Sequence, residues 1–256
     1  MTPFLLLFVH IFALTLVIST AMFLLRKFSG LGRQPLSDHI CSPVFSLFTA
    51  LYAFFLGFSL VTLWSAFLNA QINVSQEANA LLVGYYLSRD IPDSEDLGRN
   101  LELYVQNVLE EEWTLMENGQ MSEAADKHLN EAWKKLLEFR KKGQVDSNLF
   151  NNLSDNLKEA TKQRSLRRIL VKGELYPPMW VMIVFGFMAV IFGLFFLHLE
   201  KSTVRLIFEF MVIFTLLAFI FFIVDLSTPF SGYINVAPEA WQRINEKISA
   251  LSRLKM

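Results

Sequence analysis

The chain has 256 residues, 53% of them hydrophobic and 25 of them Phe, with a mean hydropathy of +0.38, which is more apolar than one ordinary soluble domain requires. Its charged residues nearly cancel to a formal charge of −1, which argues against a nucleic-acid partner, because a phosphate binder normally shows a dominant basic surface. The single cysteine, Cys41, excludes an intrachain disulfide and cannot build a metal site alone.

The apolar residues gather in four blocks, each long enough to cross a hydrocarbon core of roughly 30 Å as a helix of about 20 residues. The first runs from Pro3 to Leu25 and is closed by Arg26 and Lys27. Those basic residues follow the apolar stretch instead of preceding it, which separates this segment from a signal peptide. The second span covers about Pro43 to Asn69, with Pro43 expected to open it. Backbone groups in lipid must be satisfied internally, so helix is the expected conformation throughout.

From Gln71 to Tyr176 the chain turns polar. Leu101, Tyr104, Val105, Val108 and Leu109, and again Leu129, Trp133, Leu136 and Leu137, recur at helical spacing and predict a helical insert of about four helices. Breaks are expected at Pro92-Asp93-Ser94, at Asn118-Gly119 before Ser122, and from Gly143 to Ser147. No Pro or Gly lies between Phe58 and Val83, so the first insert helix should be continuous with span two. Acidic residues of the insert are expected on solvated faces among Lys and Arg.

The third span, Pro177 to Leu199, and the fourth, Val204 to Leu226, are joined by Glu200 to Thr203, a link short enough to be a hairpin turn. Beyond them Pro229 and Gly232 end the fourth helix, and Pro238 starts an amphipathic one with Trp241, Ile244, Ile248 and Leu251 on one side. Packing of that face on the insert is favoured over a position on the membrane surface. The expected division is therefore 1–70 (first hairpin), 71–176 (insert), 177–226 (second hairpin) and 227–256 (turn and terminal helix), an all-α membrane fold of four spans in two hairpins. Short-loop charges at Arg26, Lys27, Arg33, Lys201 and Arg205 favour an insert outside, whereas Lys162, Arg164, Arg167, Arg168 and Lys172 favour the opposite, leaving orientation open.

There is no Gly-rich phosphate loop, His-Glu-x-x-His, Cys/His cluster or nucleophile motif, so no enzymatic activity, metal or cofactor is expected. Two ionisable residues fall within spans, Glu209 and His10, where an unpaired charge is expensive. Glu209 is expected to reach the interface or to pair with Arg205, four residues earlier on the same face. Span two carries the most organised surface: Leu51, Phe55, Phe58, Ser59, Thr62, Ser65, Asn69, Asn73 and Gln76 share about one third of the helix circumference at about 100° per residue. Such a stripe, apolar at first and then polar, suits helix–helix contact or a narrow pore opening into a wetter vestibule.

The run Ser65 to Leu81 with its Gln-Glu-Ala-Asn-Ala-Leu, Tyr104 to Trp113, Arg164 to Trp180, and Asp225 to Val236 with Pro-Phe-Ser-Gly resemble the bacterial bestrophin-like domain family, distantly related to bestrophin anion channels. The resemblance implies a homopentameric channel in the bacterial inner membrane, with span two lining the pore and the insert cytoplasmic. Bestrophins narrow their pore with apolar side chains one turn apart; the matching positions here are Leu51 and Phe55, with Ser59 at the next turn. The acidic calcium-binding segment of bestrophins has no clear counterpart. The expected function is thus an oligomeric ion channel, anion-conducting by resemblance, its partners being the bilayer, small ions and copies of itself. The alternative is a membrane-anchored sensor or scaffold whose insert binds a partner. A transporter using Glu209 as a proton site is a third reading.

Overall fold

The computed structural model describes residues 2–29, 38–173, 175–196 and 202–253. Among them every regular element is helical: α1 (Thr2–Ser29), α2 (Asp38–Ser88), α3 (Glu95–Asn107), a π-helical turn (Val108–Glu112), α4 (Trp113–Glu117), α5 (Glu123–Lys141), α6 (Ser147–Val171), α7 (Pro177–Phe196), α8 (Ser202–Leu226) and α9 (Glu239–Arg253). Glu200 and Lys201 of the expected hairpin link, Leu199 at the expected end of span three, Arg33, His198 and the side chains of His39 and Cys41 lie outside the described residues. Four helices are long and apolar enough to cross a membrane: Leu5–Phe28, Pro43–Ser88, Pro177–Phe195 and Thr203–Leu226.

The chain divides into two compact units, Met1–Ser65 with Leu175–Ser227, and Ala66–Glu174 with Thr228–Met256. The sequence reading separates 227–256 from the insert, whereas here all but its first residue shares a unit with 66–174. Helix α2 contributes residues to both units. It starts at Asp38, earlier than expected, so Pro43 lies inside it. Because the first four amides of a helix have no intrahelical acceptor, a proline this close to the start forfeits little more than one bond.

In the membrane unit, α1 packs on α8 through edge-to-face pairs Phe8–Phe214 and Phe12–Phe210, with centroids 5.2 and 5.3 Å apart. Helix α2 meets α7 by a different device. A Cβ added at Gly193 would lie 1.9 Å from the Phe45 ring, and one at Gly186 would lie 2.1 Å from the Tyr52 ring. Each aromatic ring therefore occupies space that only glycine leaves open. The Tyr52 hydroxyl then donates to the Ile183 carbonyl at 2.8 Å, so the buried ring carries no unsatisfied polar group.

In the other unit, α3 packs on α5, and α9 covers α3 and the π turn. Trp241, Ile244 and Ile248 of α9 are buried, each such side chain contributing about 1.5–3 kcal/mol by leaving water. This is the packed position expected for the terminal helix. Helix boundaries follow local chemistry. Ser122 accepts from the Ala125 amide at 3.3 Å, and Asp146 Oδ1 accepts from the amides of Asn148 and Leu149 at 2.7 and 3.0 Å. Gly119, at φ +74°, lets the Gln120 amide reach back to Leu115 O at 3.1 Å and close α4. Ser94 departs from expectation. Its hydroxyl donates to Ser88 O, tying off the end of α2 rather than capping α3.

Candidate functional site

Helix α2 presents two kinds of surface. Within the membrane unit Leu51, Phe54 and Phe58 are exposed, Leu51 at 61% and Phe58 at 66%, together with Thr62 and Ser65. Phe55 is half-buried and Ser59 has no exposed surface at all. Ser59 Oγ donates to Phe55 O at 2.8 Å and Thr62 Oγ1 to Phe58 O at 3.0 Å. Both hydroxyl protons are thus spent on their own helix. In the second unit Asn69, Gln71, Ile72, Ser75, Gln76 and Asn79 are exposed, and all of these but Asn69 line a shallow groove. Asn73 is half-buried.

From Pro43 to Ser88 the helix has one formally charged side chain, Glu77. It is fully buried, and Arg167 of α6 neutralises it through Nε to Oε2 at 2.8 Å and Nη2 to Oε1 at 2.9 Å. Arg167 also gives Nη1 to Glu112 Oε1 at 2.6 Å. Arg164, one turn earlier, forks onto Glu112 with two bonds of 2.7 Å and reaches Asp126 Oδ1 at 2.7 Å. The Tyr104 hydroxyl donates to Glu77 and accepts from Arg164 Nη1 at 3.0 Å, while Arg168 holds the other oxygen of Asp126. Three carboxylates meet three guanidiniums.

Burial opposes ionisation of Glu112, but the guanidiniums of Arg167 and Arg164 override it and hold the carboxyl below its usual range. Burial pushes the Tyr104 phenol well above its ordinary value, and the Glu77 carboxylate adds to that shift. Glu112 lies in the π turn, four residues beyond Val108 and eight beyond Tyr104, and so on the buried face that Tyr104, Val105 and Val108 share. The expectation of solvated insert acids therefore fails for Glu77 and Glu112. The missed signal was in α6, where Arg164 and Arg167 continue the inward stripe Leu153, Leu157, Ala160. A charge on an apolar face requires a buried partner. With its ionised groups paired to one another, the cluster acts as a clamp.

Of the intramembrane residues, Glu209 keeps the expected ion pair with Arg205 and adds a closer one. Glu209 is buried and binds Arg26 Nη1 at 2.5 Å, while Arg205 Nε stands 3.7 Å away. Arg26 belongs to α1, far off in sequence, and also donates Nε to Phe195 O at 2.9 Å and Nη2 to Leu194 O at 2.5 Å. It satisfies carbonyls at the C-terminal end of α7, where helices lack internal donors. His10 is exposed and donates Nδ1 to Leu6 O at 2.7 Å, with no acidic partner among the described residues. Among the described residues, no three His, Cys, Asp or Glu side chains gather as metal ligands.

Residues 12–241 match the Bestrophin-like domain family. The chain belongs to the bestrophin-like family. Solved bestrophin-like structures share its fold. A bacterial bestrophin homologue from Klebsiella pneumoniae, solved by zinc phasing, superposes with a TM-score of 0.71 at 15% identity, covering 96% of its own length and 94% of this chain. A single-substitution variant from the same organism gives 0.70 at 15% identity over 98% and 96%. A membrane protein with another substitution gives 0.69 at 16% over 96% and 94%. No curated protein matches. Membership in the bestrophin-like family supports an ion-channel kind of function.

Proposed function

We propose that the chain is the subunit of an oligomeric ion channel of the bacterial inner membrane, with copies of α2 arranged around a common path. The observation that carries this reading is the α2 surface. Its exposed side chains include Leu51, Phe54 and Phe58, then Thr62 and Ser65, then the carboxamides Asn69, Gln76 and Asn79, with Val61, Leu68 and Ile72 exposed among them, and none is charged. A ring of phenyl groups makes a constriction that gates by dewetting, and a carboxamide-lined stretch stays wet. One copy of this helix encloses nothing, so several are needed; five is the number the bestrophin resemblance implies.

Pore-lining positions on this reading are Leu51, Phe58, Thr62, Ser65 and Asn69. Phe55 stands at the edge, and Ser59 faces its own subunit. Anion conduction follows the resemblance. The α2 surface offers no ring of formal charge to enforce a sign, so selection by this helix rests on hydration and size. Glu77 contributes nothing to the path, because Arg167 neutralises it inside the subunit.

The test is reconstitution of the purified protein in planar bilayers and liposomes under a KCl gradient. Unitary current steps are expected, with a reversal potential displaced toward the chloride potential for an anion path. Intact oligomers that pass no ions across varied pH, calcium and voltage would overturn the proposal. A view down the membrane normal counts the copies and shows whether α2 faces the axis.

A further inference from the structure

We infer that Arg205 and Glu209 form a binding site for a phospholipid headgroup, in which Arg205 takes the phosphate and Glu209 takes an ammonium or hydroxyl donor on the same headgroup. The site lies within the membrane unit. Arg26 is in the last turn of α1, and Arg205 is in the first turn of α8, at the start of the span Thr203–Leu226. All three charged groups therefore sit near the level at which a bilayer presents its headgroups.

Among the described residues the cluster is unbalanced. Two guanidiniums meet one carboxylate. Arg26 is committed, because Nη1 goes to Glu209 Oε1 and Nε and Nη2 go to the Phe195 and Leu194 carbonyls. The surplus positive charge belongs to Arg205. Its Nε is buried without a hydrogen-bond partner among the described residues, and 3.7 Å to Glu209 Oε1 is beyond hydrogen-bond length. Its side chain keeps 18% exposure, so the guanidinium can be reached from outside. Glu209 Oε2, on a side chain only 1% exposed, is also without a partner.

An orphan donor and an orphan acceptor on neighbouring side chains are matched by a group that both accepts and donates, which reaches these buried atoms as the part-exposed Arg205 side chain moves aside. A guanidinium is matched by a phosphate ester through charge-assisted bonds, and Glu209 Oε2 is matched by an N–H or O–H borne a few atoms away. Phosphatidylethanolamine carries both. Free phosphate carries no tether to the bilayer, yet the surface next to the site is built for one. Phe208 and Val212, at three and seven residues beyond Arg205 and so on its face of α8, are exposed and continue the site as an apolar track for an acyl chain.

The experiment uses the full-length protein, delipidated in detergent, with dioctanoyl phosphatidylethanolamine, dioctanoyl phosphatidylcholine and inorganic phosphate as probes, read by native mass spectrometry and thermal melting. Phosphatidylethanolamine should be retained at one per chain and raise the melting temperature. Phosphatidylcholine, whose quaternary ammonium has no N–H donor, should bind about tenfold more weakly, and R205Q should lose retention to a similar degree. R243Q, an exposed α9 position, should behave as wild type. Equal retention of the two lipids by the wild-type protein overturns the role of Glu209, a comparison that needs no variant to fold. Inorganic phosphate matching phosphatidylethanolamine overturns the lipid assignment. Retention unchanged in R205Q, or absent in wild type as expected if only water fills the site, overturns the site itself.

Discussion

Arg167 holds Glu77 with two parallel hydrogen bonds, and neither side chain has any surface exposed to solvent. Desolvating two such charges is expensive, and the cost is offset only because the remaining atoms are also satisfied, by Tyr104 and Glu112. The pair joins α6 to α2 at the one charged position of that helix between Pro43 and Ser88. Glu77→Gln or Arg167→Met alone leaves a buried charge uncompensated and should cost about 3–5 kcal/mol. The double variant should cost less than the sum of the two. Thermal melts of the four proteins check this, and additive losses would falsify the clamp.

Acid should act through Glu112. Its carboxyl is held below the ordinary value of 4.5 in the folded protein, so its stabilising contribution is complete above that value and is lost as pH falls through the lower folded one. The melting temperature should stay level on this account from neutrality to about pH 5 and then drop. Glu112→Gln should melt lower at neutral pH and show a shallower acid limb. A steeper one would point to other carboxylates.

Gly186→Ala places a methyl 2.1 Å from the Tyr52 ring. The ring must move, and overpacking of this kind costs about 1–3 kcal/mol. Adding Tyr52→Ala to Gly186→Ala should relieve the clash that the glycine variant creates. Tyr52→Phe, which keeps the ring and loses only the bond to Ile183 O, should cost about 1 kcal/mol. Detergent-resistant folding of the three variants, read by fluorescence-detected size exclusion at rising temperature, ranks them.

For conduction, Phe58→Ala should raise unitary conductance, because it removes an exposed ring from the proposed constriction. Ser59→Ala should leave conductance unchanged, since Ser59 exposes nothing beyond its own subunit. Bilayer recordings in which Ser59→Ala changes conductance and Phe58→Ala does not would reverse the assignment of the α2 faces.

The four membrane helices and the continuity of α2 were legible in the sequence, because hydropathy and the lack of Gly or Pro between Phe58 and Val83 depend only on neighbours along the chain. The faces were harder. A stripe at 100° per residue groups Ser59 with Phe58, but periodicity alone does not say which edge turns toward α7 and which turns away. Partners distant in sequence were harder still. Glu209 suggested Arg205 at one turn, while the closer partner is Arg26, whose position after an apolar block reads equally well as a topological flank. The buried clamp left a trace in α6, where Arg164 and Arg167 occupy the apolar face, and in Glu112, which continues the spacing of Leu101, Tyr104, Val105 and Val108, but spacing does not say that these charges meet one another.

The interlock of Phe45 and Tyr52 with Gly193 and Gly186 limits how the membrane unit can move. The two rings are seven residues apart on α2, and the two glycines are seven apart on α7. Sliding one helix past the other by the 1–2 Å typical of helix shifts drives both rings into backbone at once. The next position with a ring over a glycine is a full heptad away, about 10 Å at 1.5 Å per residue. On the proposed channel reading, opening and closing are left to tilting or rotation of α2 and α7 as a joined pair, and a crosslink between these helices should leave gating intact where a crosslink between neighbouring copies of α2 abolishes it.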